Sequence, residues 1–182
     1  MAFEGDESPP QSKLQPGDII LFAGRSFRAR LVNFFQALFA RDRTSAYNHA
    51  ALVTSEDGDI LHVTRWFIKY TSLKHRYRRS RVMIVRWRGM SRDRFRQAFA
   101  EIAPMQGRAF AFWRQPLLAV RLGWISFGEY MVCSELVARF LQAAGARAGP
   151  WAGLNVRDLY DEFVDHPEHY DVLYRGPLME YF

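Results

Sequence analysis

One cysteine and two histidines are the residues of this sequence whose types and spacing suggest chemistry. Cys133 is the only cysteine, so it forms no intramolecular disulfide and is a buried apolar side chain, a metal ligand or a nucleophile. A thiol nucleophile needs an imidazole within hydrogen-bonding distance as general base, and a third group that orients the imidazole. Cys133, His49 and His62 would supply these three roles.

Two other interpretations of these residues remain open. A lone cysteine on an apolar helix is most often a small buried hydrophobe, and two histidines with one cysteine could also bind zinc. A zinc site would more typically include a second sulfur or a nearby carboxylate, and the sequence has neither close by, so we predict no metal and no cofactor. The other histidines, His75, His166 and His169, lie in polar segments and are predicted to be solvated.

The two histidines are predicted to lie on a β-hairpin. Residues 47–54 and 60–64 are rich in strand-forming types and flank a turn-forming Ser-Glu-Asp-Gly sequence. Pairing centred on Asp57 would place the rings of His49 and His62 side by side, because facing residues on adjacent strands are about 5 Å apart. Tyr47 would share the strand face of His49 and could line the site through its hydroxyl, although a half-buried aromatic is the simpler interpretation.

Cys133 is predicted to begin a helix that extends to residue 144. Apolar residues recur there at helical spacing, and Gly145 follows as a stop. Free backbone N–H groups and the macrodipole at a helix start favour a thiolate, so we expect a lowered thiol pKa. The backbone N–H of Cys133 would be an oxyanion donor.

The other predicted elements make an α+β chain. Strands are predicted at 19–22, 81–87 and 170–174, and helices at 27–41 after Ser26, from Ser91 to before Pro104, and at 156–163 after Asn155. Asp18 is predicted to cap the turn that precedes the first strand. Residues 1–15 are predicted to be a flexible arm before a single domain at 16–182.

Composition and charge restrict the class of protein. A chain of 182 residues fits one domain, and 49% hydrophobic with 24% charged residues excludes a disordered or collagen-like chain. The net charge is +6, and ten cations lie between Lys74 and Arg96 with the single acid Asp93. They are predicted to be split between a loop, a strand and a helix without a recognition motif, so anionic envelope polymers or lipid head groups are favoured over nucleic acid.

We predict neither a signal peptide nor a transmembrane span. The first residues are acidic and polar, and the most apolar stretch, 109–127, is interrupted by Arg114, Pro116 and Arg121. We therefore expect the chain to be cytoplasmic on synthesis. The aromatic residues of 109–127 form a lid or groove for an acyl chain, a docking surface for a protein partner, or ordinary core.

Three blocks of the sequence resemble those of the permuted NlpC-like, YiiX-type papain-fold hydrolases, a group that includes the lecithin retinol acyltransferase relatives. The blocks are Pro-Gly-Asp-Ile-Ile-Leu-Phe at 16–22, Asn-His-Ala-Ala-Leu-Val at 48–53 and Tyr-Met-Val-Cys-Ser-Glu-Leu-Val at 130–137. In the permuted group the histidine strand precedes the cysteine helix, as His49 precedes Cys133 here. The resemblance extends over roughly 16–174.

The resemblance implies a circularly permuted papain-like fold, with a small antiparallel, partly barrel-like sheet and the cysteine helix packed on it. It implies Cys133 as nucleophile, His49 as general base and acid, and His62 as the orienting group, a position where many YiiX-type members have glutamate. The expected function is a cysteine amidohydrolase acting through a thioester on peptidoglycan peptide bonds, delivered to the envelope by a phage particle or a secretion system. The alternatives are a cytoplasmic acyl-amide or lipid-ester hydrolase or acyltransferase, and a catalytically idle structural module of an assembly such as a phage tail.

Overall fold

The structure is a computed structural model that describes residues 13–23, 46–64, 67–108 and 132–182. The helix predicted at 27–41 and the aromatic segment 109–127 lie outside these residues. So do residues 1–12 of the predicted arm.

The described residues form strands and helices in mixed order. The strands are β1 (Ile19–Ala23), β2 (His49–Val53), β3 (Asp59–Val63), β4 (Ile68–Ser72), β5 (Arg81–Trp87) and β6 (Tyr170–Pro177). The α-helices are α1 (Leu73–Tyr77), α2 (Arg92–Ile102), α3 (Cys133–Ala143) and α4 (Val156–Asp165), and short 3-10 turns occupy Ala103–Met105 and Leu178–Glu180.

The six strands form one antiparallel sheet in the order β4-β3-β2-β1-β5-β6. β4 and β6 lie at opposite edges, so the sheet is not closed, and the barrel-like character predicted for it is not found. The expected α+β class is confirmed. β1 is central because its run Ile-Ile-Leu-Phe is buried on both faces, which requires a paired strand on each side and packing above and below.

Each face of the sheet has its own hydrophobic core. Ile19 and Leu21 point to a first core, where α2, α3 and α4 contribute residues such as Leu136 and Phe163. Ile20 and the alternate residues point to a second core, which Leu14 and Tyr181 help to cover. The period-2 alternation of side chains along each strand produces this division.

Several predicted elements are confirmed with small changes of length. The hairpin, β5 and the cysteine helix are present, and Gly145 follows that helix with φ 79°. Ser91 and Asn155 accept N–H hydrogen bonds as the predicted N-caps, although α4 and β6 extend beyond the predicted residues. Asp18 caps the turn by accepting the Gln15 N–H at 2.8 Å.

Two parts of the prediction differ from the structure. The basic segment predicted as a loop contains α1, and β4 precedes it. Leu14, assigned to the flexible arm, is buried in the second core, so the arm cannot extend to residue 15. The sequence pattern does not predict β4, because β4 is an edge strand in which the buried Ile68 is followed by the exposed Lys69 and Tyr70.

Candidate active site

Cys133 is the first residue of α3 and is only 3% exposed. The backbone N–H groups of Ala50, Ser134 and Cys133 itself lie close enough to the sulfur to lower the pKa of the thiol. Ala50 follows His49 in β2, so the helix start and the histidine strand meet at this point. The thiol therefore sits among N–H donors that would also favour an anion.

Burial nevertheless raises the pKa of the Cys133 thiol to about 11. The three N–H groups lower this pKa, while the charge of Glu135 raises it further. The lowered pKa expected from the helix start is thus wrong for this structure, because desolvation of the thiolate outweighs the hydrogen bonds. At neutral pH the resting group is a protonated thiol.

His49 and His62 contact each other on one face of the sheet. The observed pairs, Ala51 with His62 and Val53 with Ile60, centre the hairpin between Glu56 and Asp57, half a residue from the predicted centre, and His62 faces Ala51 rather than His49. His49 is instead a diagonal neighbour on the same face, and its Nε2 lies 3.2 Å from His62 Nδ1. The rings meet edge to face with centroids 5.4 Å apart. The hairpin thus brings the two rings side by side, as predicted.

The histidine pair and the thiol belong to opposite faces of the sheet. Cys133 packs in the first core, whereas the His49 ring contacts Phe22 and Tyr77 on the side of the second core. Ala50, which follows His49 at the start of β2, is the residue whose N–H does most to lower the thiol pKa. Tyr77 is also close enough to Cys133 for a thiolate to raise the tyrosine pKa. The thiol and the His49 ring therefore lie near the start of β2, on opposite faces of the sheet.

Both ring nitrogens of His62 have partners. Its Nε2 lies 3.2 Å from Thr71 Oγ1, and its Nδ1 lies 3.2 Å from the Tyr77 hydroxyl as well as from His49. A neutral imidazole has one donor and one acceptor nitrogen. If His62 Nε2–H donates to Thr71, Nδ1 accepts from His49 Nε2–H, and His49 Nδ1 keeps a free lone pair. In this tautomer His49 Nδ1 can accept a proton, so His49 can act as a general base.

Burial lowers the pKa of His49 to about 4 and that of His62 to about 3. The positive charge of Arg76 lowers the pKa of both rings further, and His49 and Lys69 add to the effect at His62. Both imidazoles are therefore neutral at pH 7, and His49 would accept a proton only during a reaction.

Tyr77 and Thr71 contact the histidine pair but were not predicted as site residues, and neither was Arg76, whose charge lowers the pKa of both histidines. Tyr77 packs on Phe22 with ring centroids 4.3 Å apart, and its hydroxyl bonds His62. Burial raises the pKa of Tyr77, and the nearby Arg76 opposes this shift. These residues come from β4 and α1. The only feature of their sequence that could have indicated a role in the site is the concentration of cationic and hydroxyl side chains that follows His62.

The two residues that follow Cys133, Ser134 and Glu135, fix the start of α3. Glu135 is fully buried; its Oε2 accepts the Val132 N–H at 3.1 Å and its Oε1 accepts the Gly153 N–H at 2.9 Å. Ser134 Oγ donates to the Leu154 carbonyl at 2.6 Å. The Cys-Ser-Glu sequence therefore ties the helix start to the loop that precedes α4, and a glutamate at the third helical position is the sequence signal for such a cap.

Tyr47 does not share the face of His49, contrary to the prediction. It precedes β2, so strand alternation does not apply to it, and it packs against the first core. Its ring stacks on Tyr160 of α4 with centroids 5.5 Å apart. Burial raises the Tyr47 pKa, while Arg175 and Arg81 oppose this. The half-buried aromatic interpretation fits this position.

Some of the cations between residues 74 and 96 have internal partners. Arg86 forms a bidentate pair with buried Asp18, at 2.7 and 2.8 Å, and Arg88 pairs with Asp171 at 2.7 Å. Arg94 donates to the Gly89 carbonyl. His75, His166 and His169 are exposed, as predicted. Part of the positive charge of this segment therefore forms ion pairs and hydrogen bonds that stabilise the fold.

Within the described ranges, no group of three or more histidine, cysteine or acidic side chains is arranged to hold a metal ion. None of the helices in those ranges is both long and apolar enough to span a bilayer.

Comparison with known proteins shows a likeness of fold. No family model matches the chain, and no curated protein matches it. A crystal structure from Escherichia coli O157:H7, described as metalloprotein YiiX of DUF1105, superimposes with a TM-score of 0.56. The two chains are 22% identical, and the match covers 76% of this chain and 71% of that one. The likeness is one of fold alone, and the domain of the similar protein, DUF1105, is of unknown function.

Proposed function

We propose that this protein is a cysteine hydrolase with a permuted papain-like architecture, which cleaves amide bonds in peptidoglycan peptides through a thioester. The observation that carries the proposal is the placement of both groups at the start of β2. The Ala50 N–H lies close enough to the Cys133 sulfur to lower the thiol pKa, and the preceding residue, His49, lies with its Nε2 3.2 Å from His62 Nδ1. The order of the histidine strand and the cysteine helix also supports it.

The chemistry begins from a neutral pair. The thiol pKa of about 11 and the His49 pKa of about 4 disfavour a preformed thiolate–imidazolium pair. Proton transfer from Cys133 to His49 Nδ1 therefore accompanies attack of the sulfur on the carbonyl carbon. The resulting oxyanion accepts a hydrogen bond from the Cys133 N–H, while the Val132 N–H is already taken by Glu135.

His49 then returns the proton to the leaving amine, and the carbon–nitrogen bond breaks to leave a thioester on Cys133. Water attacks the thioester as His49 accepts its proton, and the acid product and free thiol are released. His62 holds the His49 ring in the tautomer that keeps Nδ1 available, because its own Nε2–H is directed to Thr71.

The proposal is tested by incubating purified peptidoglycan with the protein and with the variant Cys133→Ala. Wild-type protein should release new amino groups, and the variant should release none. Parallel assays with acyl amides and lipid esters identify a different acyl substrate. Release that survives Cys133→Ala would show that the nucleophile is misassigned, and no turnover on any of the three classes would refute the hydrolase proposal.

A further inference from the structure

The outer edge of β4 carries backbone hydrogen-bonding groups that the sheet does not use. At one end of β4, the Phe67 carbonyl accepts the Thr64 N–H at 2.8 Å, which directs Phe67 towards β3. At the other end, the Leu73 N–H donates to the Gly58 carbonyl at 2.9 Å. Every second residue between Phe67 and Leu73 faces β3 in the same way, because successive residues of a strand direct their N–H and C=O groups to alternate sides. The residues that face outward are therefore Ile68, Tyr70 and Ser72.

A short segment of the chain pairs with the first of these outward residues. The Ile68 N–H donates to the Arg108 carbonyl at 3.1 Å, and the Ile68 carbonyl accepts the Gly107 N–H at 2.9 Å. Gly107 has φ 81°, as in the glycine β-bulges of antiparallel pairs. The residues just before it, Ala103–Met105, form a 3-10 turn, so the pairing ends beside Ile68 and does not extend to Tyr70.

Tyr70 and Ser72 consequently present open backbone groups. In the part of the chain that the structure describes, no backbone group pairs with the N–H or C=O of Tyr70 or with the N–H of Ser72. A groove of about 570 Å³ lies against this edge, and its lining includes Tyr70, Ser72 and Phe99. Tyr70 is 39% exposed. Unpaired N–H and C=O groups in a row are a template for the pairing of another strand.

The side chains beside this edge suit a peptide with apolar residues. Tyr70 pairs with Leu61 of the first core, so its ring lies on the face of the sheet against which Phe99 of α2 also packs. A strand added next to β4 would place every second side chain on that face. Those side chains would contact the rings of Tyr70 and Phe99.

We propose that the edge of β4 binds an extended peptide, which pairs with Tyr70 and Ser72 as a further strand of the sheet. Main-chain hydrogen bonds supply the affinity, and the two rings favour apolar residues at alternate positions of the peptide. Cys133 is not among the residues that line the groove. The inference therefore goes beyond the proposed function, because the peptide is bound whether or not Cys133 attacks it.

Amide hydrogen exchange of the full chain, followed by NMR, tests the proposal. The probe is a capped peptide of alternating valine and threonine with a lysine at each end, at about 1 mM, where a weak complex is populated. The Tyr70 and Ser72 amides should exchange fast in the free protein and slow about twofold when half of the protein is bound. The Lys69 and Thr71 amides are the internal control, since they face β3 and should exchange slowly throughout.

Two substitutions separate the backbone of Tyr70 from its ring. Tyr70→Pro removes the outward N–H and leaves the bonds to β3, a change that edge strands tolerate, whereas Tyr70→Ala keeps the N–H and removes the ring. Tyr70→Pro should bind the probe about two- to tenfold more weakly than Tyr70→Ala, the effect of losing one hydrogen bond. A probe with the same side chains and N-methylated amides should not bind the wild type, and this result does not depend on the folding of a variant.

Four results overturn the inference. They are unchanged exchange at Tyr70 in the presence of the probe, equal binding by Tyr70→Pro and Tyr70→Ala, equal binding of the N-methylated probe, and slowing of the Tyr70 amide that depends on protein concentration without any probe. The last result would show that a second copy of this chain pairs with β4. None of these measurements involves Cys133, so amine release that depends on Cys133 would leave the hydrolase proposal standing in each case.

Discussion

Glu135 is the buried charge on which the start of the cysteine helix depends. Its two carboxylate oxygens accept the N–H groups of Val132 and Gly153, and the side chain is fully buried. In Glu135→Gln the side chain keeps its size but has one carbonyl oxygen and one NH2 group. One backbone N–H then faces another donor instead of an acceptor.

The expected loss of stability follows from this mismatch. A buried donor left without an acceptor costs about 1–3 kcal/mol, and removal of a negative charge near a helix N-terminus costs about 0.3–1 kcal/mol more. Relief from burying a charge offsets part of this. The free energy of unfolding should therefore fall by about 1–3 kcal/mol.

Urea unfolding followed by tryptophan fluorescence measures the change. Asp158→Asn is the matched control, since Asp158 holds the same position in α4 and accepts the Asn155 N–H at 2.8 Å, but is only partly buried. It should lose less than about 1 kcal/mol, within the range for a helix cap. Hydrolase activity should fall in Glu135→Gln under conditions where the protein remains folded, because the Cys133 N–H and sulfur lose their fixed position.

A Glu135→Gln protein within about 0.5 kcal/mol of the wild type would refute this reasoning. So would an equal loss in Asp158→Asn, because the effect would then come from helix capping in general rather than from the buried carboxylate.

Three further predictions concern the thiol and the histidine pair. The folded pKa of His49 is about 4 and that of His62 about 3, below the ordinary 6.5, so the unfolded chain binds more protons as the pH falls below 6.5. The free energy of unfolding should therefore decrease from pH 6.5 towards pH 4, by up to about 1.4 kcal/mol per pH unit for each histidine. Urea unfolding at several pH values measures this decrease, and the prediction is contradicted if the free energy of unfolding of His49→Gln depends on pH as steeply as that of the wild type. The alkylation rate of Cys133 by iodoacetamide should still increase above pH 9, as burial raises its pKa to about 11; a plateau by pH 8 would mean a more acidic thiol. Thr71→Val should cost about 0.5–1.5 kcal/mol of stability and lower kcat with little change in KM, because His62 loses the acceptor that sets its tautomer; unchanged kcat would remove Thr71 from the positioning network.

The elements that carry the candidate thiol and the histidine pair could be predicted because each has a strong local pattern. Alternating apolar residues flank a turn between the two histidines, and apolar residues at helical spacing follow Cys133. The edge strand and short helix that provide Thr71 and Tyr77 have no such pattern, since most of their side chains are exposed. Their part in the site depends on the pairing of β4 with β3, which forms a second hairpin at the edge of the sheet.

The thiol pKa could not be predicted from position along the chain. A helix start indicates N–H donors, and these are present around Cys133. The depth of burial depends on how tightly α3 packs against β2, and that packing decides the sign of the shift. The rings of His49 and His62 meet although His62 faces Ala51, because His49 lies two residues from Ala51 and side chains two residues apart share one face of a strand.

The placement of the thiol in one core and of the histidine pair on the side of the other has a consequence for the folding chain. Either core alone leaves Cys133 apart from the imidazoles, because one group arrives with α3 and the other with the hairpin and α1. A partly folded molecule would therefore contain an ordinary, unassisted thiol. Under the proposed function, this arrangement would delay nucleophilic reactivity until both faces of the sheet are covered and would protect a newly made chain and its neighbours from premature acylation.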